Sequence, residues 1–437
     1  MMNIDTLLCA RWVIPVEPHN TFYENHAIAI HRSRIIDILP IDKAKAEYSA
    51  DEIVTLPEHT VLPGFVNMHT HSPMTLFRGL ADDLDLMDWL NNHIWPAEKA
   101  WMSHTFVADG TELALAEMIR CGTVCFNEHY FYPKAAIEKV LQAQIRAQIG
   151  ITILEAVSIE NKGPEELLKA GSVLAEQYAG HSHVKIGLAP HAPYTVSDHL
   201  LEQIRNTSEA QNLLIHMHVQ ETAVEVEQEI ARYGKRPMKR LQDLGLLSSK
   251  FHAVHMTQVN EEDLAILQST GTHVVHCPES NLKLANGFCP VTKLQKAGVT
   301  VSLGTDGAAS NNDLDMLGEM RTTALLGKAV SQNCAVISAA EALRMATLNG
   351  AKVLHWDHEI GSIEKGKSAD VIAIDLSSIN TQPVYNPISQ IVYAANASQI
   401  TDVWCAGKAL MRERKLTTLD EEAILTKAKA WRSKIRG

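Results

Sequence analysis

The sequence lacks any CxxC pair, although it holds seven cysteines, and the closest two, Cys121 and Cys125, are four apart. Scattered thiols in odd number exclude a disulfide-stapled scaffold and suit a reducing compartment. No apolar run approaches the roughly 18–20 residues of a membrane-crossing helix. Met1-Met2-Asn3-Ile4-Asp5 shows neither a basic region nor a clean apolar stretch of a secretory signal, so a cytoplasmic protein is expected. Positive charge is scarce. Lys and Arg number 39 against 51 Asp and Glu, a formal charge of −12, which argues against nucleic acid as partner. Neither GxGxxG nor a P-loop occurs, so a nucleotide-phosphate cradle is not expected. Hydrophobic residues at 46% and charged residues at 21% are ordinary for a folded chain and exclude a disordered one. The excess is in histidine, of which there are 21.

At about 100–200 residues per domain, 437 residues predict two or three domains, or one large barrel with an appendage. Residues 1–58 read as short strands and turns, with Ile4 to Val16, Ala27 to Leu39 broken at Ser33, Glu52 to Leu56, and a short helix around Asp42 to Tyr48. Strand-like pieces return at Val371 to Leu376, Ile391 to Ala395 and Val403 to Ala406. Between these zones, apolar runs at 61–68, 122–127, 150–157, 184–190, 213–219, 252–256, 272–276 and 299–304 are each followed by a helix-length stretch. Eight such units predict an α/β fold, a (β/α)₈ TIM-type barrel with its site at the C-terminal strand ends. The expected division is a small β-sandwich domain split between residues 1–58 and 365–415, a barrel over 59–364, and a C-terminal helix over 416–437. Its basic residues, Lys427, Lys429, Arg432, Lys434 and Arg436, read as a solvated face near a helix C-terminus.

The polar residues fall where the barrel rule wants them. His69 and His71 close the first run, and residues two apart on a strand share a face, so both rings can reach one ion. His218, His255 and Asp306 close later runs. Imidazoles with one carboxylate suit Zn²⁺, and Fe²⁺ less selectively; the alternative is a set of unrelated buried polar residues. His216, two before His218, reads as a packed neighbour one layer deeper. His252, three before His255, reads as facing away, and His276 is a candidate substrate contact. Glu221, three after His218 and read as lying on a first helical turn, places a carboxylate beside the ion without making it a ligand. His255 and Asp306 are then the groups able to take a proton from water at the ion.

The opening strand, Pro63-Gly64-Phe65-Val66-Asn67-Met68-His69-Thr70-His71, resembles that of the amidohydrolase superfamily. Three further stretches narrow the resemblance: Phe77-Arg78-Gly79-Leu80-Ala81-Asp82-Asp83, Leu86-Met87-Asp88-Trp89-Leu90 and His93-Ile94-Trp95-Pro96-Ala97-Glu98. Together with His191-Ala192-Pro193-Tyr194, His218-Val219-Gln220-Glu221 and Gly304-Thr305-Asp306-Gly307, they are similar to the 5-methylthioadenosine/S-adenosylhomocysteine deaminase family, from about residue 4 to 410.

That resemblance implies one divalent metal, zinc or else iron, held by His69, His71, His218 and Asp306. It implies hydrolysis of the adenine amino group of a small nucleoside, giving an inosine-type product and ammonia. Glu221 would protonate the purine ring, with His255 and Asp306 orienting or deprotonating water. Glu98 would bind the ribose hydroxyls, and His191 would contact the substrate near the reacting edge. Without the resemblance, Glu98 reads as a surface helix residue. A second, bridged metal is not expected, because Glu128 and Glu155 have no further liganding histidine beside them. The loop after the third strand offers Asn161 and Lys162 but no arginine, and Arg146 is read in the preceding helix. This places methylthioadenosine ahead of S-adenosylhomocysteine as expected substrate. Trp89, Trp95 and Met74 are candidates for the alkylthio pocket or for loop packing.

The alternatives are a guanine- or cytosine-type base deaminase or a triazine hydrolase of the same superfamily, and a metal-binding homologue without chemistry. A cytidine-deaminase-type zinc site is excluded by the absence of PCxxC. No membrane partner is expected, and a homo-oligomer is the default.

Overall fold

The first strands of the chain are β1 (Met2–Val13), β2 (Tyr23–His31), β3 (Arg34–Pro40) and the long β4 (Tyr48–Pro63). The last are β13 (Val371–Asp375), β14 (Ile400–Cys405), β15 (Lys408–Arg412) and β16 (Lys415–Leu416). Between them run β5 (Phe65–Thr70), β6 (Thr123–Tyr130), β7 (Arg146–Ile153), β8 (Val184–Pro190), β9 (Ile215–Val219), β10 (Phe251–His255), β11 (His273–His276) and β12 (Val301–Leu303). These elements come from a computed structural model that describes residues 1–155, 158, 159 and 162–436.

The middle eight strands form one parallel sheet in the order of the chain. Strands β6 and β7 are buried along their whole length, as a parallel sheet covered on both faces requires. Closure is made where β12 returns to β5. The Asp306 N–H donates to the His69 carbonyl (2.9 Å), and the Asn67 side chain accepts from Thr305 N–H (3.0 Å) and donates to Thr305 Oγ1 (2.7 Å). Gly304 permits that approach, since a Cβ there would lie 2.6 Å from the His69 nitrogen.

The outer strands form a second eight-stranded sheet, ordered β16-β15-β14-β13-β4-β1-β2-β3, so both chain ends build one unit beside the barrel. Strand β13 pairs antiparallel with β4, Ile372 opposite Leu62, and joins the two ends. The sheet curls until Arg34 bridges Ser368, enclosing Leu8, Ile28, Val54, Val371 and Trp404. Each such side chain contributes about 1.5–3 kcal/mol on burial. Among the described residues, no helix is long and apolar enough to cross a membrane.

Four local expectations need correction. Val61 and Leu62 belong to β4 of the outer sheet, and the barrel's first strand begins after Gly64. The third barrel strand runs over 146–153 rather than 150–157; Ala156 and Val157 of that expected strand, like Asn161, lie outside the described residues. Arg146 is therefore the first residue of β7, not part of a helix. Its Nε donates to Asp370 Oδ2 (2.6 Å), a partner distant in sequence that lets a guanidinium start a buried strand. Finally, Ile391 to Ala395 is not a strand. Asn386 caps a helix over Pro387–Tyr393, accepting from Ile388 and Ser389 N–H, and proline at the first turn suits that start.

Candidate metal centre and substrate cavity

At the C-terminal end of the barrel, the backbone is bent at four positions. Gln220, His255, Met256 and Asp306 have φ of 53°, 73°, 46° and 66°, left-handed values that non-glycine residues adopt at a cost of order 1–3 kcal/mol each. His255 owes its position to that bend. His252 pairs in register with His216, the rings 5.7 Å apart, so it shares the face of His216 rather than facing away as regular alternation predicts. Alternation fails because the left-handed turn at His255 breaks the strand's period.

Four predicted ligands meet. His69 Nε2 and His71 Nε2 each lie 3.2 Å from Asp306 Oδ1, and His218 Nε2 lies 3.2 Å from His69 Nε2. The opposite ring nitrogens are committed elsewhere. His71 Nδ1–H donates to the His129 carbonyl (2.5 Å), His218 Nδ1–H to the His191 carbonyl (2.7 Å), and His69 Nδ1 lies 2.8 Å from His216 Nε2. A carbonyl only accepts, so His71 and His218 carry a proton on Nδ1, and the Nε2 atoms of both rings face one common point. Separations of 3.2 Å also match the edge, about 3.3 Å, of a tetrahedron with metal–nitrogen bonds of about 2.0–2.1 Å. The donor set fits a divalent metal ion.

Without an ion, a proton takes the shared position. Burial would raise the Asp306 carboxyl, but hydrogen bonds from His69 and His71 outweigh it and hold it well below the carboxylate range. Ser280 Oγ (2.6 Å) and Ser310 Oγ (2.9 Å) donate to its other oxygen. Burial lowers His71, yet Asp306 overrides it and lifts the ring to about 9, so a bound cation would displace the Nε2 proton that His71 holds at neutral pH. His218 is kept neutral by burial and by the neighbouring imidazoles.

Glu221 stands beside this cluster. It precedes the helix Ala223–Tyr233 and its cap Thr222, rather than lying on the first turn as the sequence suggests. Asn286 Nδ2 donates to its Oε1 (2.9 Å), and His255 Nε2 is 3.7 Å from its Oε2. Burial, with Asp306 adding to it, raises its carboxyl to about 8, so it keeps a proton at neutral pH. His255 Nδ1 is held by Asn281 Oδ1 (2.9 Å).

The cluster forms the floor of a cavity of about 620 Å³. Its walls include Met74, Trp89 and Trp95, as well as Glu98 and His191. Glu98 is half-buried, its Oε1 accepting from the Tyr130 hydroxyl (2.6 Å), and burial raises its carboxyl. Burial lowers His191 to about 4, leaving a neutral ring near Thr195 Oγ1 (3.2 Å). His276 is buried on β11 and takes no part in the cavity wall. Glu128 is engaged by Thr70 Oγ1 (3.2 Å) and Ser72 N–H (3.0 Å) and braces the turn carrying His71. Sequence reasoning missed Tyr130, Asn281 and Asn286. Tyr130 alone had a signal, as a polar residue closing a strand.

An amidohydrolase family model matches residues 60–410, so the chain belongs to the amidohydrolase family and is a metal-dependent hydrolase. Within that family it is closely related to the methylthioadenosine/S-adenosylhomocysteine deaminases. It is 47% identical over 432 residues, 99% of this chain and 97% of the relative, to the 5-methylthioadenosine/S-adenosylhomocysteine deaminase of Saccharophagus degradans. The crystal structure of a Xanthomonas campestris adenosine deaminase with bound zinc superposes with a TM-score of 0.98 at 45% identity, covering 100% of this chain and 99% of the other. A zinc-complexed atrazine chlorohydrolase from Arthrobacter aurescens shares the fold, with a TM-score of 0.90 at 20% identity over 98% of this chain and 99% of its own.

Proposed function

We propose that the chain hydrolytically deaminates the adenine ring of 5′-methylthioadenosine, and to a lesser degree of S-adenosylhomocysteine and adenosine. The observation that carries this reading is Glu98, a carboxylate braced by Tyr130 in the wall of the cavity whose floor is the metal-type donor cluster. A carboxylate accepts from two hydroxyls at once, which suits a ribose diol and has no counterpart on a free base. The close relatives' activity supports the same substrate class.

Zinc is the expected ion, as in the Xanthomonas structure, held by His69, His71, His218 and Asp306. A divalent ion there supplies a Lewis acid that ionises water near neutral pH. Glu221, protonated at rest, gives its proton to the ring nitrogen beside the amino-bearing carbon. His255 and Asp306 orient the water and take its proton as oxygen adds to that carbon. The carbon–nitrogen bond then breaks as the proton held at His255 and Asp306 passes to the amino group, which leaves as ammonia. The added hydroxyl returns its proton to Glu221, leaving the carbonyl of the inosine-type product. His191 contacts the purine near this edge. Arg146, engaged by Asp370, is no carboxylate partner for S-adenosylhomocysteine. Lys162, in the wall of an adjoining cavity of about 250 Å³, is a less specific carboxylate partner than a bidentate arginine, so methylthioadenosine, which carries no carboxylate, is the expected better substrate.

In this reading residues 1–58 and 365–415 support a catalytic barrel over 59–364, with 416–437 as a terminal helix. All seven cysteines are free thiols, which suits a cytoplasmic location. The test is ammonia release from methylthioadenosine, S-adenosylhomocysteine, adenosine, guanine and cytosine by metal-replete protein. Fastest turnover of methylthioadenosine is expected, and Glu98→Gln should raise the nucleoside KM by about tenfold. Turnover of a free base alone, or of none, contradicts the proposal.

A further inference from the structure

The cavity wall over Leu86–Trp101 supplies Trp89, Trp95 and Glu98, and it is one helical run whose middle, Trp89–Ile94, is π-helical. What fixes it is one apolar cluster, in which Trp89, Leu90 and Ile94 pack with Phe77, Phe106 and Trp431. Trp431 comes from the final helix, Glu421–Arg436, far from the site in sequence. It is 7% exposed, and its indole N–H donates to Asp109 Oδ2 (3.0 Å) on the helix His104–Arg120. Its ring meets Phe106 edge-on at 5.3 Å and Trp101 at 6.4 Å, and Phe106 in turn lies 4.8 Å from Phe77. Lys427, one turn earlier, reaches Glu112 (2.6 Å) and Asp109 (3.2 Å) on the same helix.

Trp101 ends the wall one turn after Glu98, and Met102 N–H donates to the Glu98 carbonyl (2.8 Å). A side chain that holds Trp101 therefore holds the backbone of Glu98. We propose that Trp431 is a positioning residue for the substrate wall, acting through Trp101 and Phe106 to set Glu98. The final helix is thus a brace for substrate binding, and its basic face is not wholly solvated, since Lys427 is part of the attachment. The kinetic consequence rests on Glu98 being a substrate contact; the mechanical one does not.

The experiment compares full-length, metal-replete wild type with Trp431→Ala and Trp431→Phe by hydrogen exchange and by kinetics on methylthioadenosine. In Trp431→Ala, amides of residues 86–101 should exchange about tenfold faster or more, with β9 and β10 unchanged. KM should rise about tenfold with kcat within about twofold, and Trp431→Phe, which keeps an aromatic edge, should regain most of it. Unchanged exchange over 86–101, equal acceleration of every strand, or a fall in kcat at constant KM overturns the proposal. Should Trp431→Ala not fold, Lys427→Met is read in the same way, with about a threefold rise in KM, and no change overturns it. Exchange needs no substrate, so failure of the substrate reading, seen as no nucleoside turnover by wild type, is registered separately.

Discussion

Asp306 and Asp370 are buried aspartates at opposite ends of one barrel, and both are held below the ordinary carboxylate range. Asp370, at the N-terminal end, is matched inside the chain. Arg146 donates from Nε (2.6 Å), Ala406 N–H donates at 2.8 Å, and the Ser368 hydroxyl at 2.6 Å. Arg146 has a permanent charge, so the account at that end is closed. Asp306 faces two imidazoles, His69 kept neutral by burial and His71 protonated through the carboxylate itself, and both Nε2 atoms lie 3.2 Å from its Oδ1. The charge match at that end rests on a titratable proton, which a divalent cation can replace. The difference separates an ion pair built for joining two sheets from a donor set built for chemistry.

Substitutions at the two ends should therefore fail in different ways. Asp306→Asn should remove the bound ion and lower turnover by on the order of 10³-fold or more, since Lewis-acid stabilisation is worth several kcal/mol. Metal analysis with turnover checks this, and retention of both would place the ion elsewhere. Arg146→Met should destabilise by about 3–5 kcal/mol, because it strands the Asp370 charge, while metal content and KM stay at wild-type values. Denaturant unfolding measures the loss, and a matched Arg146→Met/Asp370→Leu pair should recover much of it. The Asp370 contribution has its own pH signature. Its folded-state carboxyl is lowered, so its stabilisation is present above the unfolded value of about 3.9 and is lost as pH falls through the folded one. At the catalytic end, the pH signature concerns Glu221. Its carboxyl is raised to about 8, so the protonated acid is present below that pH and lost above it. On the alkaline side kcat/KM should fall by about tenfold per pH unit above 8, and a flat profile to pH 9.5 contradicts the acid role.

The same contrast explains what the sequence made legible. The catalytic end could be read because barrel strands are nearly continuous apolar runs, and a histidine or aspartate closing one stands out against them. His69, His71, His218, His255 and Asp306 come together at that end. The joining end was opaque, since Arg146 and Asp370 are 224 residues apart and neither marks the other. Arg146 consequently read as a helix residue. Ile391 to Ala395 was misread because apolar content outweighed the Asn386-Pro387 start signal. His252 was misjudged because period-2 alternation assumes a regular strand, and the left-handed φ of His255 is not written in its spacing. Tyr130, Asn281 and Asn286 act by holding Glu98, His255 and Glu221, a role that appears only when the strands are side by side.

The most direct test is the metal content and turnover of Glu221→Gln measured beside wild type. Glu221 oxygens are held by Asn286 and face His255, apart from the converging donors. One divalent ion per chain in both proteins, with turnover in the variant lower by roughly 10²–10⁴-fold, is the predicted result. Loss of the ion from Glu221→Gln, or full activity with the ion retained, would contradict the separation of metal holding from proton transfer.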